Sequence, residues 1–304
     1  MSRSLMAPAL RHLRLFPLGH SVDFFSEHSE LLNAAQRLWG DWPQLFDQPS
    51  LKFTLEMSGV PDISLPSYQL MGGTLVLSSA SAAAAFSSRL GYGCLRVSEP
   101  SLLDGAWFRY HWLQPLVLTA LDMVFFEPLH AACISQEGRG ILLCGDSGAG
   151  KTTLAYACGK AGWTLLSEDG VRLAPLERGQ LLVGTHWTYN LRPGTENLFP
   201  ELGALPVSVT SAGKHAILVD APSLGIPVGR TGCPHHTVFL SRGSGPARMT
   251  PYPIENAAQY FLQTSRNPNR AASKGKLEQM LKAGCSLLQY DHPSDAVTLL
   301  ERLL

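Results

Sequence analysis

The eight residues Gly145-Asp146-Ser147-Gly148-Ala149-Gly150-Lys151-Thr152 fit the spacing G-x-x-x-x-G-K-[ST], and that spacing has a mechanism. Glycines admit backbone angles that let successive N–H groups point into one concavity. A helix opening at Lys151 aims the positive end of its dipole at the same point. Lys151 can then reach the outer phosphates of a nucleotide, and the Thr152 hydroxyl is a magnesium ligand; Thr153 completes the binding set. Asp146 either shapes the turn through backbone N–H groups or is oriented by Lys151. A loop of this kind specifies phosphate and no more, since GTPases, ATPases and several classes of kinase share it.

What happens to the phosphate depends on nearby carboxylates. "WTLLSED" ends in Glu168 and Asp169, just past the helix that follows the loop, and "HAILVD" ends in Asp220. Asp220 has the look of the acid that holds the metal in many ATPases and GTPases. Adjacent carboxylates can divide labour, one taking a proton from an attacking hydroxyl while the other holds Mg²⁺. The choice between Asp169 and Asp220 as metal ligand stays open at this point.

The elements that must position these groups read as an α/β pattern from about residue 119 onwards. Strands are predicted at 140–144, 163–166, 181–183, 215–219 and 237–240, and helices at 151–161, 254–263, 274–283 and 294–303. Gly162 stands where a helix-ending glycine would. Residues 1–118 read as a separate α+β domain. Leu31, Leu32, Ala35 and Leu38 mark a helical face, while "LKFTLEM", "CLRVS" and "WFRYHW" suggest strands of a half-exposed antiparallel sheet. "SSASAAAAFSSR" (Ser78 to Arg89) reads as a short helix.

Composition narrows the class. In 304 residues, 24 basic side chains balance 24 acidic ones, so no overall field steers the protein to nucleic acid or to an anionic membrane. The six cysteines form no CxxC pair and no zinc spacing, as expected of buried thiols in a reducing cytoplasm. The most apolar stretch, 113–134, is interrupted by Pro115, Asp122, Glu127 and Pro128, which argues against a membrane span. A cytoplasmic enzyme with no nucleic-acid or membrane partner is the expectation.

The run "HAACISQEGRGILLCGDSGAGKTTLAYACGKAGWTLLSED" resembles the core of the HPr kinase/phosphorylase family and its HPr-kinase-related members. A histidine, His130, precedes Gly145 by fifteen residues, and Glu168 and Asp169 follow Lys151 by seventeen and eighteen. Weaker echoes in "HHTVFLSR" and the C-terminal "LLQYDHPSDAVTLLERLL" extend the resemblance to about residues 119–304. It implies a PEP-carboxykinase-like P-loop core that moves a phosphoryl group from ATP, with Mg²⁺, to a serine hydroxyl of a protein or peptide. Carried over, Glu168 is the catalytic base, His130 sits beside it and adjusts its proton affinity, and Thr152 and Asp169 hold magnesium. Relatives form symmetric assemblies, which leaves a homo-oligomer open. The first acid is usually aspartate in that family and is Glu168 here, and the glycine-containing segment after the acids is not evident. Both departures point to a divergent relative with an acceptor of its own. A small-molecule kinase on the same core, and a nucleotide-binding scaffold without transfer activity, are the competing readings.

Three further places are candidates for phosphate or substrate contacts. They are the basic stretch with Arg266, Arg270, Lys274 and Lys276, Arg242 after "TVFL", and the Pro/Gly-rich segment "NLRPGTENLFPELG" from Asn190 to Gly203.

Overall fold

The computed structural model describes residues 9–60, 64–98, 105–185, 187–210, 213–265 and 270–304. The architecture is mixed α/β with several sheets. The chain divides into two compact units, Met1–Phe125 and Phe126–Leu304. The boundary expected at 118/119 falls inside a helix, α2 (Gln114–Val124), whose Leu116, Val117, Ala120 and Leu121 are buried.

The first unit is a seven-stranded sheet in the order β1-β2-β3-β7-β6-β5-β4. Its strands are β1 (Arg11–Leu15), β2 (Val22–Ser26), β3 (Leu51–Ser58), β4 (Ser67–Met71), β5 (Thr74–Ser78), β6 (Ala83–Ser87) and β7 (Tyr92–Ser98). In β3, Leu51, Phe53 and Leu55 are buried while Lys52 and Glu56 point to solvent, the two-residue period of a sheet with one covered face. Helix α1 (Ser29–Trp39) connects β2 to β3 and buries Leu31, Leu32, Ala35 and Trp39.

Three expectations for this unit are corrected. The sheet is mixed, because the α1 crossover returns the chain so that β3 runs parallel to β2, and β7 is parallel to β3. Residues 78–89 contain strand β6, not a helix; Ala84 and Phe86 are buried at a two-residue interval, so the small residues follow a strand period. The aromatic run 107–112 is helical, leading through a π-helical stretch, Arg109–Leu113, into α2. Its buried residues Phe108, Trp112, Leu116 and Ala120 recur every four positions, a helical stripe that the aromatic content disguises.

One polar cluster is built into this sheet. The Asp23 carboxylate, 3% exposed, accepts two hydrogen bonds from Arg14, at 2.8 and 2.9 Å, and pairs with His12 Nε2 at 2.7 Å. The β1–β2 register puts Arg14 directly opposite Asp23. The guanidinium bonds hold the Asp23 carboxyl well below its ordinary range, against the effect of burial.

The second unit is built on strands β8 (Glu127–Leu129), β9 (Ala132–Gln136), β10 (Arg139–Cys144), β11 (Thr164–Ser167), β12 (Val171–Pro175) and β13 (Gln180–Gly184), with β17 (Thr231–Arg242), β18 (Arg248–Pro251) and β19 (Cys285–Tyr290). Its sheet order is β11-β9-β10-β17-β13-β12-β8, with β19 also on β17 and β18 on β19. Strands β10, β17 and β19 are mutually parallel neighbours, so their carboxyl ends open at one edge. Ile141 and Leu143 of β10 face one core with helices α3 (Lys151–Lys160) and α6 (Pro293–Glu301). Leu142 and Cys144 face the other, with α4 (Ile254–Thr264) and α5 (Arg270–Leu281). Helices on both faces and parallel strands at the centre form a layered α/β arrangement, which places ligand crevices at the strand carboxyl ends.

A separate three-stranded sheet, β14 (Thr188–Leu191), β15 (Val207–Val209) and β16 (His215–Asp220), is ordered β14-β16-β15. Tyr189, Leu191, Ile217 and Val219 bury one face in the core that contains α3. Thr188, Asn190, Leu218 and Asp220 stand exposed on the other.

Candidate active site

The glycine loop leaves the carboxyl end of β10 and enters α3 at Lys151. Gly148 and Gly150 have φ of +95° and +100°, in the region that favours glycine. A Cβ on Gly150 would also lie 2.5 Å from the Tyr290 hydroxyl, so only glycine fits there. The Ala149 N–H donates to Asp146 O at 3.0 Å and closes the turn. Lys151 Nζ folds back to donate to Gly145 O at 2.7 Å and to Asp146 O at 3.4 Å, which centres its charge over the loop. Asp146 therefore serves the turn through its carbonyl. Ser147 stands exposed on the loop, and Thr152 and Thr153 are half-buried in the first turn of α3. The Gly145 N–H does not face the concavity: it donates to the Tyr260 hydroxyl at 3.2 Å, and that hydroxyl donates to Gly145 O at 2.9 Å. Tyr260, from α4, is a support that the sequence did not suggest.

Both acids of "SED" sit on a tight turn after β11, with Ser167 Oγ donating to Gly170 O at 2.9 Å and Gly170 at φ +82°. Strand β11 is not beside β10; antiparallel β9 lies between them, which leaves β10 and β11 parallel with their carboxyl ends on one side. Thr152 Oγ1 donates to Glu168 Oε1 at 2.5 Å, and the Asn190 side-chain amide donates to Glu168 Oε2 at 3.1 Å. Glu168 is 5% exposed. Burial raises its pKa above the ordinary glutamate range, opposed by the Thr152 and Asn190 hydrogen bonds and aided by neighbouring Asp169.

Asp169 faces outward. Its Oδ1 lies 3.0 Å from His130 Nδ1, and both side chains are about half exposed. The pairing of β8 with β12 and a hydrogen bond from Gly170 N–H to Ala131 O bring these two residues together. Asp169 also faces the loop side: with Asp146 it adds to the burial that pushes the Tyr260 phenol up to about 12. The ion-pair partner of His130 is therefore Asp169, the residue after Glu168.

Asp220 is engaged locally. Its Oδ2 accepts from Ser223 N–H at 3.1 Å, and Ser223 Oγ donates to Asp220 O at 2.7 Å. Arg242, at the end of β17, lies over the Tyr290 ring at 4.7 Å and donates to Asp291 O at 3.0 Å beside Gly150. Arg192, in the Pro/Gly-rich segment, donates to Ser147 Oγ at 3.0 Å. Arg266 lies outside the described residues; Arg270, Lys274 and Lys276 belong to α5, where Lys274 pairs with Glu278 at 3.8 Å. Asn190, Arg192 and Tyr260 were not singled out in the sequence. Only the first two had a signal, as the opening residues of a segment chosen for recognition.

No protein-family profile matches the chain, and no curated protein matches it. Among solved structures, the HPr(Ser) kinase/phosphatase from Coxiella burnetii is similar at 15% sequence identity and a TM-score of 0.33, covering 58% of this chain and 87% of that one. Among the described residues, no helix is long and apolar enough to cross a membrane.

Proposed function

We propose that this chain is a phosphotransferase on a PEP-carboxykinase-like P-loop core, using ATP and Mg²⁺ to phosphorylate a serine hydroxyl of a protein or peptide. The observation that carries the reading is the 2.5 Å bond from Thr152 to Glu168, one residue past the Lys151 that caps the glycine loop. A nucleotide-binding scaffold needs the loop alone. A carboxylate buried against the loop threonine, with a second carboxylate–histidine pair beside it, is equipment for moving charge and protons.

The donor set suits magnesium. It is all oxygen: the Thr152 hydroxyl and the Glu168 carboxylate. Among the described residues no group of three or more His, Cys, Asp and Glu could hold a metal ion alone. That fits a cation held by one or two carboxylates together with substrate phosphates. Magnesium bound there would neutralise charge on the phosphate oxygens.

The roles of the two acids follow from exposure. Both oxygens of Glu168 are occupied, by Thr152 and by Asn190, and its side chain is buried. Glu168 therefore belongs to the metal and the loop. Asp169 is about half exposed and paired with His130, and we assign it as the proton acceptor. This reverses the division implied by the family resemblance. In the step, the acceptor oxygen bonds to the terminal phosphorus and its proton passes to Asp169. The bond from that phosphorus to the bridging oxygen breaks, and the electron pair leaves with ADP. The exposed face of the small sheet, which carries Thr188, Leu218 and the Asn190 that touches Glu168, offers an extended peptide a polar bed with one apolar contact.

The test compares Asp169→Asn with Glu168→Gln, using γ-labelled ATP and the labelled acceptor isolated from a lysate of the source organism. Asp169→Asn is expected to stop transfer while ATP and Mg²⁺ affinities stay within about threefold. Glu168→Gln is expected to raise the Mg²⁺ requirement at least tenfold, on the order of one lost charged ligand. The opposite pattern would restore Glu168 as base, and transfer at the wild-type rate in both variants would end the phosphotransferase reading.

A further inference from the structure

Strand β14 carries more than its place in a small sheet requires. Its alternation buries Tyr189 and Leu191 and turns Asn190 and Arg192 to the opposite side. Asn190 holds Glu168. Arg192, about 6.7 Å further along the strand direction, holds Ser147 of the glycine loop. One rigid strand end therefore spans from the acid to the phosphate loop. The pedestal under Arg192 is fixed on both sides: Leu191 is fully buried, and Arg192 O accepts from Thr195 N–H at 3.1 Å and from Thr195 Oγ1 at 2.7 Å.

The guanidinium itself is under-used. Among the described residues its hydrogen-bond partner is a neutral hydroxyl, and no carboxylate lies within ion-pair distance. Its Nη1 would lie 3.5 Å from a methyl placed on Gly148, so it hangs over the part of the loop where glycine leaves the backbone open. Arg242, on the other flank of the loop, is committed to the Tyr290 ring and to Asp291 O. Of these two arginines, Arg192 keeps donors free for an anion. Its planar fork matches phosphate oxygens in a way that a hydroxyl cannot satisfy.

We propose that Arg192 is a ligand of the terminal phosphoryl group, supplied by the chain itself, which exchanges the Ser147 hydroxyl for phosphate oxygens when ATP binds. The proposal rests on the phosphotransferase reading. It adds a specificity-determining cation that the loop motif does not contain and that distinguishes a triphosphate from a diphosphate.

The experiment measures ATP and ADP binding by calorimetry, with Mg²⁺, on the full chain and on Arg192→Gln and Arg192→Lys. Arg192→Gln is expected to weaken ATP about tenfold or more, the scale of a charged hydrogen bond, while ADP affinity stays within about twofold. Arg192→Lys falls between, since it keeps the charge and loses the fork. The ligand-free melting temperature should not move, because Arg192 is exposed. An unchanged ATP-to-ADP preference would overturn the proposal, and so would parallel loss of both nucleotides. A wild-type chain that bound neither nucleotide would sink the phosphotransferase reading, and this inference with it.

Discussion

Asp23 in the first unit and Glu168 in the second are both nearly buried carboxylates, 3% and 5% exposed, yet their surroundings push them in opposite directions. Asp23 meets a fixed cation: Arg14 binds both of its oxygens, and its acid form is disfavoured. Glu168 meets only neutral donors, Thr152 and Asn190, with Asp169 nearby, and its ionised form is disfavoured. Among the described residues no lysine or arginine lies within ion-pair distance of it. A buried charge with a permanent partner is closed chemistry that fixes strand register. A buried carboxylate left with neutral donors is the feature on which the proposed site rests.

The largest effect that separates the two is on turnover. Glu168→Gln should lower phosphoryl transfer at fixed Mg²⁺ by about a hundredfold or more, whereas Asp23→Asn should leave it within about twofold in a folded preparation. A comparable loss in both, with both variants folded by circular dichroism, would erase the distinction.

Stability should move in opposite senses for the same chemical change. Asp23→Asn removes the ionic partner of Arg14 from a buried position and is expected to cost about 1–3 kcal/mol. Glu168→Gln removes a poorly compensated charge from a functional position and is expected to stabilise by about 0.5–2 kcal/mol at pH 8. Scanning calorimetry on each variant checks both signs, and two destabilisations would show that Glu168 is a structural carboxylate like Asp23.

Acid should separate them again. The folded pKa of Glu168 lies above the ordinary 4.5, so the native state binds more protons than the unfolded chain between those values. Its contribution is complete below 4.5 and declines as pH rises through the folded value. Asp23 has a lowered pKa, so its contribution is present above 3.8 and lost as pH falls below it. His20, stacked between Phe46 and Phe125, is lowered by burial from 6.5 to about 4, and the first unit loses stability as pH falls across that interval too. The melting-temperature gain of Glu168→Gln over wild type should therefore vanish near pH 4 and grow towards pH 8; a gain independent of pH would remove titration of Glu168 from the argument.

How far the sequence carried this depended on range. The glycine loop, Lys151 and the turn into α3 were legible because they are local: backbone angles and a helix start lie within eight residues. The acids were legible as a pair, but not the separate contacts that each one makes. Glu168 is sorted from Asp169 by contacts to Thr152 and Asn190, 16 and 22 residues away, and by the strand pairing that brings in His130. Tyr260 and Arg192 reach the loop across 115 and 45 residues; the Pro/Gly-rich segment marks the neighbourhood of Arg192, and nothing local announces Tyr260. In the first unit, the small residues of β6 and the aromatic residues before α2 carry their elements' periods in spacing, while their residue types suit the other element.

Asp220 supplies the third carboxylate of the comparison and the smallest predicted effect. The polar face of the small sheet carries both Asp220 and Asn190, so Asp220 stands on the side that reaches Glu168. Its side chain, however, is exposed and caps the turn through Ser223 N–H. Asparagine caps such a turn nearly as well as aspartate. Asp220→Asn should therefore change stability by no more than about 0.5 kcal/mol and leave the Mg²⁺ requirement within about twofold, measured by titrating Mg²⁺ against transfer. A tenfold rise in that requirement would mean that the metal set extends onto β16. The site would then have a charged wall on the small sheet, and the contrast between one paired and one unpaired carboxylate would have to be redrawn around three.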